Sequence, residues 1–214
     1  DFCLSRGLGD VYKRQAPQTA KRSFSAGSVI SAIGRWIVRN RIYLIAFAIP
    51  AVLTYLAYAL FGLYPFGEES VLCLDLNGQY VYYFEALRDA FWGDGSIFYN
   101  WSRNLSGEFM GIIGYYLASP FTLIVMLLPE KFMLSSLLIM QLCKLGAAGA
   151  TFNYFLQKRR GVQPYPSLLF STMYAMMAYG VIQLIDPMWL DGLVFLPLIM
   201  LGIEYPVSYT HLRA

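Results

Sequence analysis

Histidine is nearly missing from this chain, cysteine is sparse and charge is scarce. The one histidine, His211, lies among the last residues, and Cys3, Cys73 and Cys143 show neither C-x-x-C pairing nor metal-ligand spacing. Nothing therefore points to a zinc site, a disulfide framework or a Ser-His-Asp catalytic set. No glycine-rich phosphate loop is present, so cytosolic nucleotide chemistry has no visible seat. Only 14% of the 214 residues are charged, against about 25% in an ordinary soluble domain. The net charge of +3 is small, and the basic residues cluster beside apolar runs. That arrangement suits membrane orientation and argues against a nucleic-acid partner.

What fills the chain instead is apolar. Hydrophobic residues make up 57% and aromatics 17%, with a mean hydropathy of +0.49. Apolar runs of about twenty residues imply an all-α, polytopic transmembrane helical bundle. Both ends look foreign to it. Asp1–Gln15 (DFCLSRGLGDVYKRQ) and Pro206–Ala214 (PVSYTHLRA) resemble translated sequencing-adapter read-through. Setting them aside leaves residues 16–205 as membrane domain and carries the expectation that the protein continues beyond Tyr205.

Residues 16–41 hold Lys21, Arg22, Arg35, Arg39 and Arg41 and no acid, with an apolar patch at Val29–Ile37 that could lie on a membrane surface. Ile42–Leu63 is the first expected span, its N-terminus cytoplasmic by the positive-inside rule. The outer loop, residues 64–110, holds seven of the thirteen acidic residues against Arg88 and Arg103 alone. Within it, Tyr80, Phe84, Leu87 and Phe91 form one stripe of a helix expected over Leu76–Trp92. Asp75 stands at its head and Gly93 and Gly95 at its end.

Two runs then decide the topology. If both Gly111–Leu128 and Phe132–Leu156 crossed, Lys158, Arg159 and Arg160 would lie outside. If only the second crosses, that triplet is cytoplasmic, and Asp186 and Asp191 reach the outer face with Asp75. The second arrangement satisfies every charge cluster. Gly111–Leu128 is therefore expected as a re-entrant or interfacial segment. Spans over 165–185 and 193–205 complete a set of about four, with Gly146, Gly149 and Ala150 as a close-packing face of the second.

Asp75 is the leading candidate for chemistry. A carboxylate at the outer surface could take a proton from an acceptor hydroxyl or ligate a divalent cation. The plainer reading is an N-cap. Asp186 and Asp191 could share base and metal work with it, or merely end one helix and start the next. Lys144 sits mid-span, where a charge costs at least about 2.5 kcal/mol and normally faces a partner. Arg103 and Arg88 could hold phosphate, or pair with Asp89 and Glu85. Tyr80, Tyr82, Tyr83, Trp92 and Trp101 could stack on sugar rings, although interfacial anchoring is the ordinary role of such aromatics. Asn100–Ser102 and Asn104–Ser106 match the glycosylation sequon, which matters only in a eukaryotic secretory setting.

The run from YPFGEES through DLNGQYVYYFEALRDAFWGDG to YYLASPFTLIVMLLP resembles the N-terminal part of the bacterial membrane protein YfhO family, as do CKLGAAGATFNYFL and MWLDGLVFLPLIMLGIE. The family is usually much longer. The resemblance implies a GT-C-like glycosyltransferase of the bacterial cytoplasmic membrane. Such an enzyme would move a sugar from a polyprenyl-phosphate carrier to an extracytoplasmic acceptor such as a teichoic acid or another surface polymer. It also implies that Asp75, as the acid of the first outer loop, and Asp191 are catalytic. Gln79, Tyr80, Arg103, Lys144, Asp186 and Trp189 are then the substrate-binding candidates. Many GT-C loops carry an adjacent Asp-Glu pair, whereas Leu76 follows Asp75 here, which leaves the metal open. No soluble cofactor is required. A lipid or polymer transporter, or a non-catalytic membrane assembly partner, are the alternative classes.

Overall fold

The computed structural model describes residues 26–101 and 107–211. The chain divides into two compact units, Asp1–Arg39 and Asn40–Ala214. Of the first, the described part is the opening of helix α1 (Ala26–Leu60), with Ile30, Ile33, Trp36 and Ile37 exposed. The Val29–Ile37 patch is thus the start of a continuous helix, not a separate surface turn. Lys21, Arg22 and Asp1–Gln15 lie outside the described residues.

The second unit is almost entirely helical. A π-helical turn, Leu76–Tyr80, leads into α2 (Val81–Trp92). Gly93 and Gly95 end it, both amides reaching the Asp89 carbonyl, and a Cβ on Gly93 would meet Asp89 Oδ1 at 2.3 Å. Strands β1 (Tyr99–Asn100) and β2 (Gly107–Glu108) form a minimal antiparallel ribbon. A helical turn at Met110–Ile112 runs into a π-helical turn at Ile113–Leu117, and α3 (Thr122–Leu127) follows a break at Pro120. At 1.5 Å per residue, a six-residue α3 rises about 9 Å, far short of a bilayer. Next come α4 (Met133–Arg160), α5 (Pro164–Ala175), α6 (Ala178–Ile182) and α7 (Pro187–His211). The last runs through Pro206–His211.

Among the described residues, three helices are long and apolar enough to cross a membrane: Val29–Leu60, Glu130–Arg160 and Pro187–Tyr205. The expected continuous helix over Tyr165–Ile185 is instead two pieces, α5 and α6. The chain turns extended at Met177, and Gly180 packs so closely on the Ala175 carbonyl that a Cβ would lie 2.3 Å from it. Around the break the Met176, Val181 and Gln183 amides still find carbonyls, those of Thr172, Met177 and Tyr179.

Helix α4 is the hub. It runs antiparallel to α1: Tyr43 packs edge-on to Tyr154, and Tyr58 donates to Gln141 at the other end. Gly146 and Gly149 let the two backbones meet, since Cβ atoms there would sit 2.8 Å from the Phe47 carbonyl and 2.5 Å from that of Ala46. Against α5, buried Asn153 donates to Ser167 and Ser171 at 3.0 and 3.3 Å. That polar seam suits two helices packing where no water competes. Against α7, Leu145 and Ala148 join Leu190, Leu193 and Val194 in one apolar cluster with Ala175 of α5. At the basic end, Arg159 and Arg160 both reach Glu204 of α7, at 2.6 and 2.8 Å.

A second cluster seats the loop on the other end of α4. Leu76, Tyr80, Phe84 and Leu87 bury against Phe109, Ile112, Leu117 and Val125, and against Leu137 and Met140 of α4. Phe91, expected on the same stripe, is 62% exposed because the stripe outruns the surface it packs on.

The α1–α4 contact is open to test. Gly149→Val should destabilise by about 1–3 kcal/mol, the usual cost of overpacking. Gly192→Ala, where a Cβ meets nothing within 4 Å, should stay within about 0.5 kcal/mol. Thermal unfolding in detergent reads both.

Candidate functional site

Leu74 carries a φ of 47°, a left-handed conformation that costs a bulky residue roughly 1–2 kcal/mol. Asp75 follows it, exposed, at the entry to the π-helical turn. Its side chain makes no capping hydrogen bond, so the plain N-cap reading fails. It accepts instead from Gln79 Nε2 at 3.0 Å. The carboxyl of Asp186, which precedes α7, lies within hydrogen-bonding reach of Asp75. Asp186 is half-buried. Its affinity for a proton is raised by that burial first, and then by the neighbouring Asp75 charge.

Tyrosines line this pair. Tyr80 is fully buried, and its hydroxyl makes no hydrogen bond of ordinary geometry, although the Met188 backbone amide is nearby. Burial and the charges of Asp186 and Asp75 push its phenol upward. Tyr116 packs edge-on to Tyr80 at 5.4 Å and also against Tyr83 and Tyr115 at 5.0 and 4.8 Å. Its phenol is raised as well, by burial, the neighbouring tyrosines and then the two aspartates.

One turn along α7, a second group is neutral in sum. Lys144, 2% exposed, donates to Asp191 Oδ2 at 2.9 Å and to the Pro187 carbonyl at 2.8 Å. Its ammonium also lies 5.6 Å from the Phe121 ring centre. Asp191 Oδ1 accepts from Ser119 at 3.0 Å.

The candidates thus fall into two groups. Asp75, Gln79, Tyr80 and Asp186 come together, while Asp191 joins Lys144. Trp189 is exposed in the first turn of α7. Arg103 lies outside the described residues, as does Asn104–Ser106. Arg88 neither pairs with Asp89 or Glu85 nor points outward. It donates to the Val125, Met126 and Leu128 carbonyls, closing the C-terminus of α3, whose last carbonyls have no helical partner. Trp92 adds a bond to the Met126 carbonyl. Tyr82 and Trp101 stay exposed. Tyr115, Tyr116 and Ser119 were missed from sequence; the paired tyrosines of GYYLASP, in a segment too short to cross, were the available signal.

Among the described residues, no group of three or more His, Cys, Asp or Glu is placed to hold a metal. Asp75 and Asp186 could supply two oxygen ligands to a divalent cation, which ordinarily takes six or more.

The family model described as bacterial membrane protein YfhO matches residues 46–209, most of the chain and all of both groups. Searches of curated proteins and of solved structures returned no match.

Two outcomes follow from these pairs. Asp186 binds its proton more tightly folded than unfolded. The stability it contributes is therefore fully present below the ordinary carboxylate pKa, about 3.9, and is lost as pH rises through the raised value. Asp186→Asn should flatten the fall of the thermal midpoint above that pH; an unchanged slope would show that folding does not raise the Asp186 carboxyl. Asp191→Asn should strand a buried ammonium and cost about 3–5 kcal/mol, with Lys144→Met/Asp191→Leu recovering most of it.

Proposed function

This chain belongs to the bacterial membrane protein YfhO family, and on that footing we propose that it acts as a GT-C-type membrane glycosyltransferase. The donor is a polyprenyl-phosphate sugar, and the acceptor is a hydroxyl of a surface polymer such as a teichoic acid. The observation that carries this reading is the Asp75–Asp186 pair, accessible at the end of the bundle opposite Lys158–Arg160. We place the basic end in the cytoplasm by the positive-inside rule and the carboxylates outside.

The acceptor oxygen attacks the anomeric carbon as the bond from that carbon to the phosphate oxygen breaks, with inversion. Asp75 takes the hydroxyl proton, and polyprenyl phosphate leaves with the bonding electrons. Burial, and then the neighbouring Asp75 charge, raise the proton affinity of Asp186, so the base in this reading is Asp75, the more exposed of the two. Gln79, bonded to Asp75, orients it.

Lys144 is engaged with Asp191 and Pro187 and deeply buried, which favours positioning over direct phosphate binding. Asp191 then acts through that ion pair. Arg103 remains the candidate for the lipid phosphate, whose charge a guanidinium matches well.

Full-length Asp75→Asn should insert normally and lose surface-polymer glycosylation in cells. Purified protein given labelled polyprenyl-phosphate sugar and acceptor should transfer the label. Movement of intact lipid across liposomes without transfer would favour a transporter, and unchanged glycosylation by Asp75→Asn would remove Asp75 from the mechanism.

A further inference from the structure

An open cleft of about 610 Å³ runs along α2, within the range of ligand sites, roughly 300–1,000 Å³. Neither Asp75 nor Asp186 is among its lining residues. Tyr82, Glu85, Asp89 and Trp92 line it from the helix, and Asn100 of β1 and Glu130 after α3 complete the wall. Phe109 and Ile112, both buried, form its floor.

Tyr82, Glu85, Ala86 and Asp89 recur at i, i+3, i+4 and i+7, so one face of α2 lines the cleft, away from buried Phe84 and Leu87. From Tyr82 to Trp92 that wall rises about 15 Å at 1.5 Å per residue. Exposed rings and exposed charges share it: Tyr82 and Trp92 are 60% and 71% exposed, with Glu85 and Asp89 between them. The two carboxylates keep this face out of hydrocarbon, so lipid anchoring does not account for its rings. Trp92 is also held in place. Its indole N–H donates to the Met126 carbonyl at 3.1 Å while most of the ring stays exposed. Arg88, one turn earlier, is tied to the Val125 and Met126 carbonyls. The ring is thus a platform set before any ligand arrives, which lowers the ordering cost of binding.

We propose that this cleft is a binding site for an extended glycan at the outer membrane surface. The C–H face of a sugar ring is apolar and stacks on a flat aromatic ring, while the hydroxyls around its edge donate hydrogen bonds. Trp92 and Tyr82 supply the rings. Glu85, Asp89 and Glu130 supply the acceptors, with the Asn100 side chain beside them. An acyl chain in the same place would strip water from the carboxylates without replacing it. A wall of about 15 Å is longer than one sugar ring, so the occupant is a chain of sugars. Gly78 also lines the cleft and lies in the π-helical turn that follows Asp75. One end of the bound glycan therefore comes within a helical turn of the proposed base without occupying it. The inference rests on the glycosyltransferase reading only in making that glycan the acceptor; binding itself is tested apart from transfer.

The probes are cellotetraose, maltotetraose and tetra-N-acetylchitotetraose, titrated by calorimetry into full-length protein in lipid nanodiscs, with glucose for comparison. At least one tetrasaccharide should bind, and more tightly than glucose. Tyr82→Ala and Glu85→Gln, both at exposed positions, should keep the thermal midpoint and weaken binding about fivefold or more. Tyr82→Phe, which keeps the ring, should recover most of the loss. Tyr165→Ala, which removes an exposed ring at the basic end of the bundle, should leave binding unchanged. No binding of any tetrasaccharide, or binding that Tyr82→Ala and Glu85→Gln leave intact, would overturn the proposal. So would tetralysine binding at these residues where the tetrasaccharides do not, which would make the cleft a site for a basic peptide. A protein that binds a tetrasaccharide here yet transfers no labelled sugar sinks the enzymatic reading and leaves the cleft standing; transfer without tetrasaccharide binding does the reverse.

Discussion

A lysine in the middle of a membrane-spanning helix constrains everything around it. Lys144 is 2% exposed, and a charge at that depth must find compensation or cost several kcal/mol. It finds three partners: the Asp191 carboxylate, the Pro187 carbonyl and the face of the Phe121 ring. Asp191 in turn holds Ser119. One charge therefore ties the hub helix α4 to the first turn of α7 and to the broken segment before α3. Remove it and three chain segments lose their common point.

The position of Asp186 depends on that tie. It precedes Pro187, whose carbonyl Lys144 grips, so the ion pair sets how near the Asp186 carboxyl comes to Asp75. The loop side is held separately. Leu76, Tyr80 and Phe84 pack on Leu137 and Met140 of α4, with Met188 of α7 against the same cluster. Two anchors on one helix thus bring together carboxylates more than a hundred residues apart. They also sort the acids: Asp191 is paired with its lysine, and Asp186 is set beside Asp75.

Much of this was legible because it depends on local chemistry. The apolar runs, the glycines that bring α4 onto α1, a helix after Asp75 and the grouping of Asp75 with Asp186 at one end all follow from composition, spacing and charge; that the helix opens as a π-helical turn does not. What was not legible depends on how far one helix slides along another. Lys144 and Asp191 were both visible, but which acid the lysine would meet is set by the offset of α7 against α4. The same holds for Arg88. Its nearest neighbours in sequence are acids, yet helix packing points it at the unpaired carbonyls of α3. Glu204 joining Arg159 and Arg160 was invisible for the same reason, and it offsets part of a basic cluster that sequence alone counts at full charge.

The break between α5 and α6 sets that offset. From Arg160 back to Lys144, α4 rises about 24 Å at 1.5 Å per residue. Gly161, left-handed at φ 62°, turns the chain tightly, its amide and that of Val162 both reaching the Leu156 carbonyl. Pro164 therefore starts near the level of Arg160. An unbroken helix from Pro164 to Asp186 would rise about 33 Å, carrying Asp186 roughly 9 Å past Lys144. The extended turn at Met177, and the fold-back that Gly180 permits against the Ala175 carbonyl, take up the difference. A residue larger than glycine at position 180 would push α6 off α5 and lengthen the segment. Lys144 would then lose the Pro187 carbonyl and Asp191 first, and Asp186 would leave Asp75 with them. The irregular backbone that interrupts the expected span is thus what brings the two carboxylates into contact.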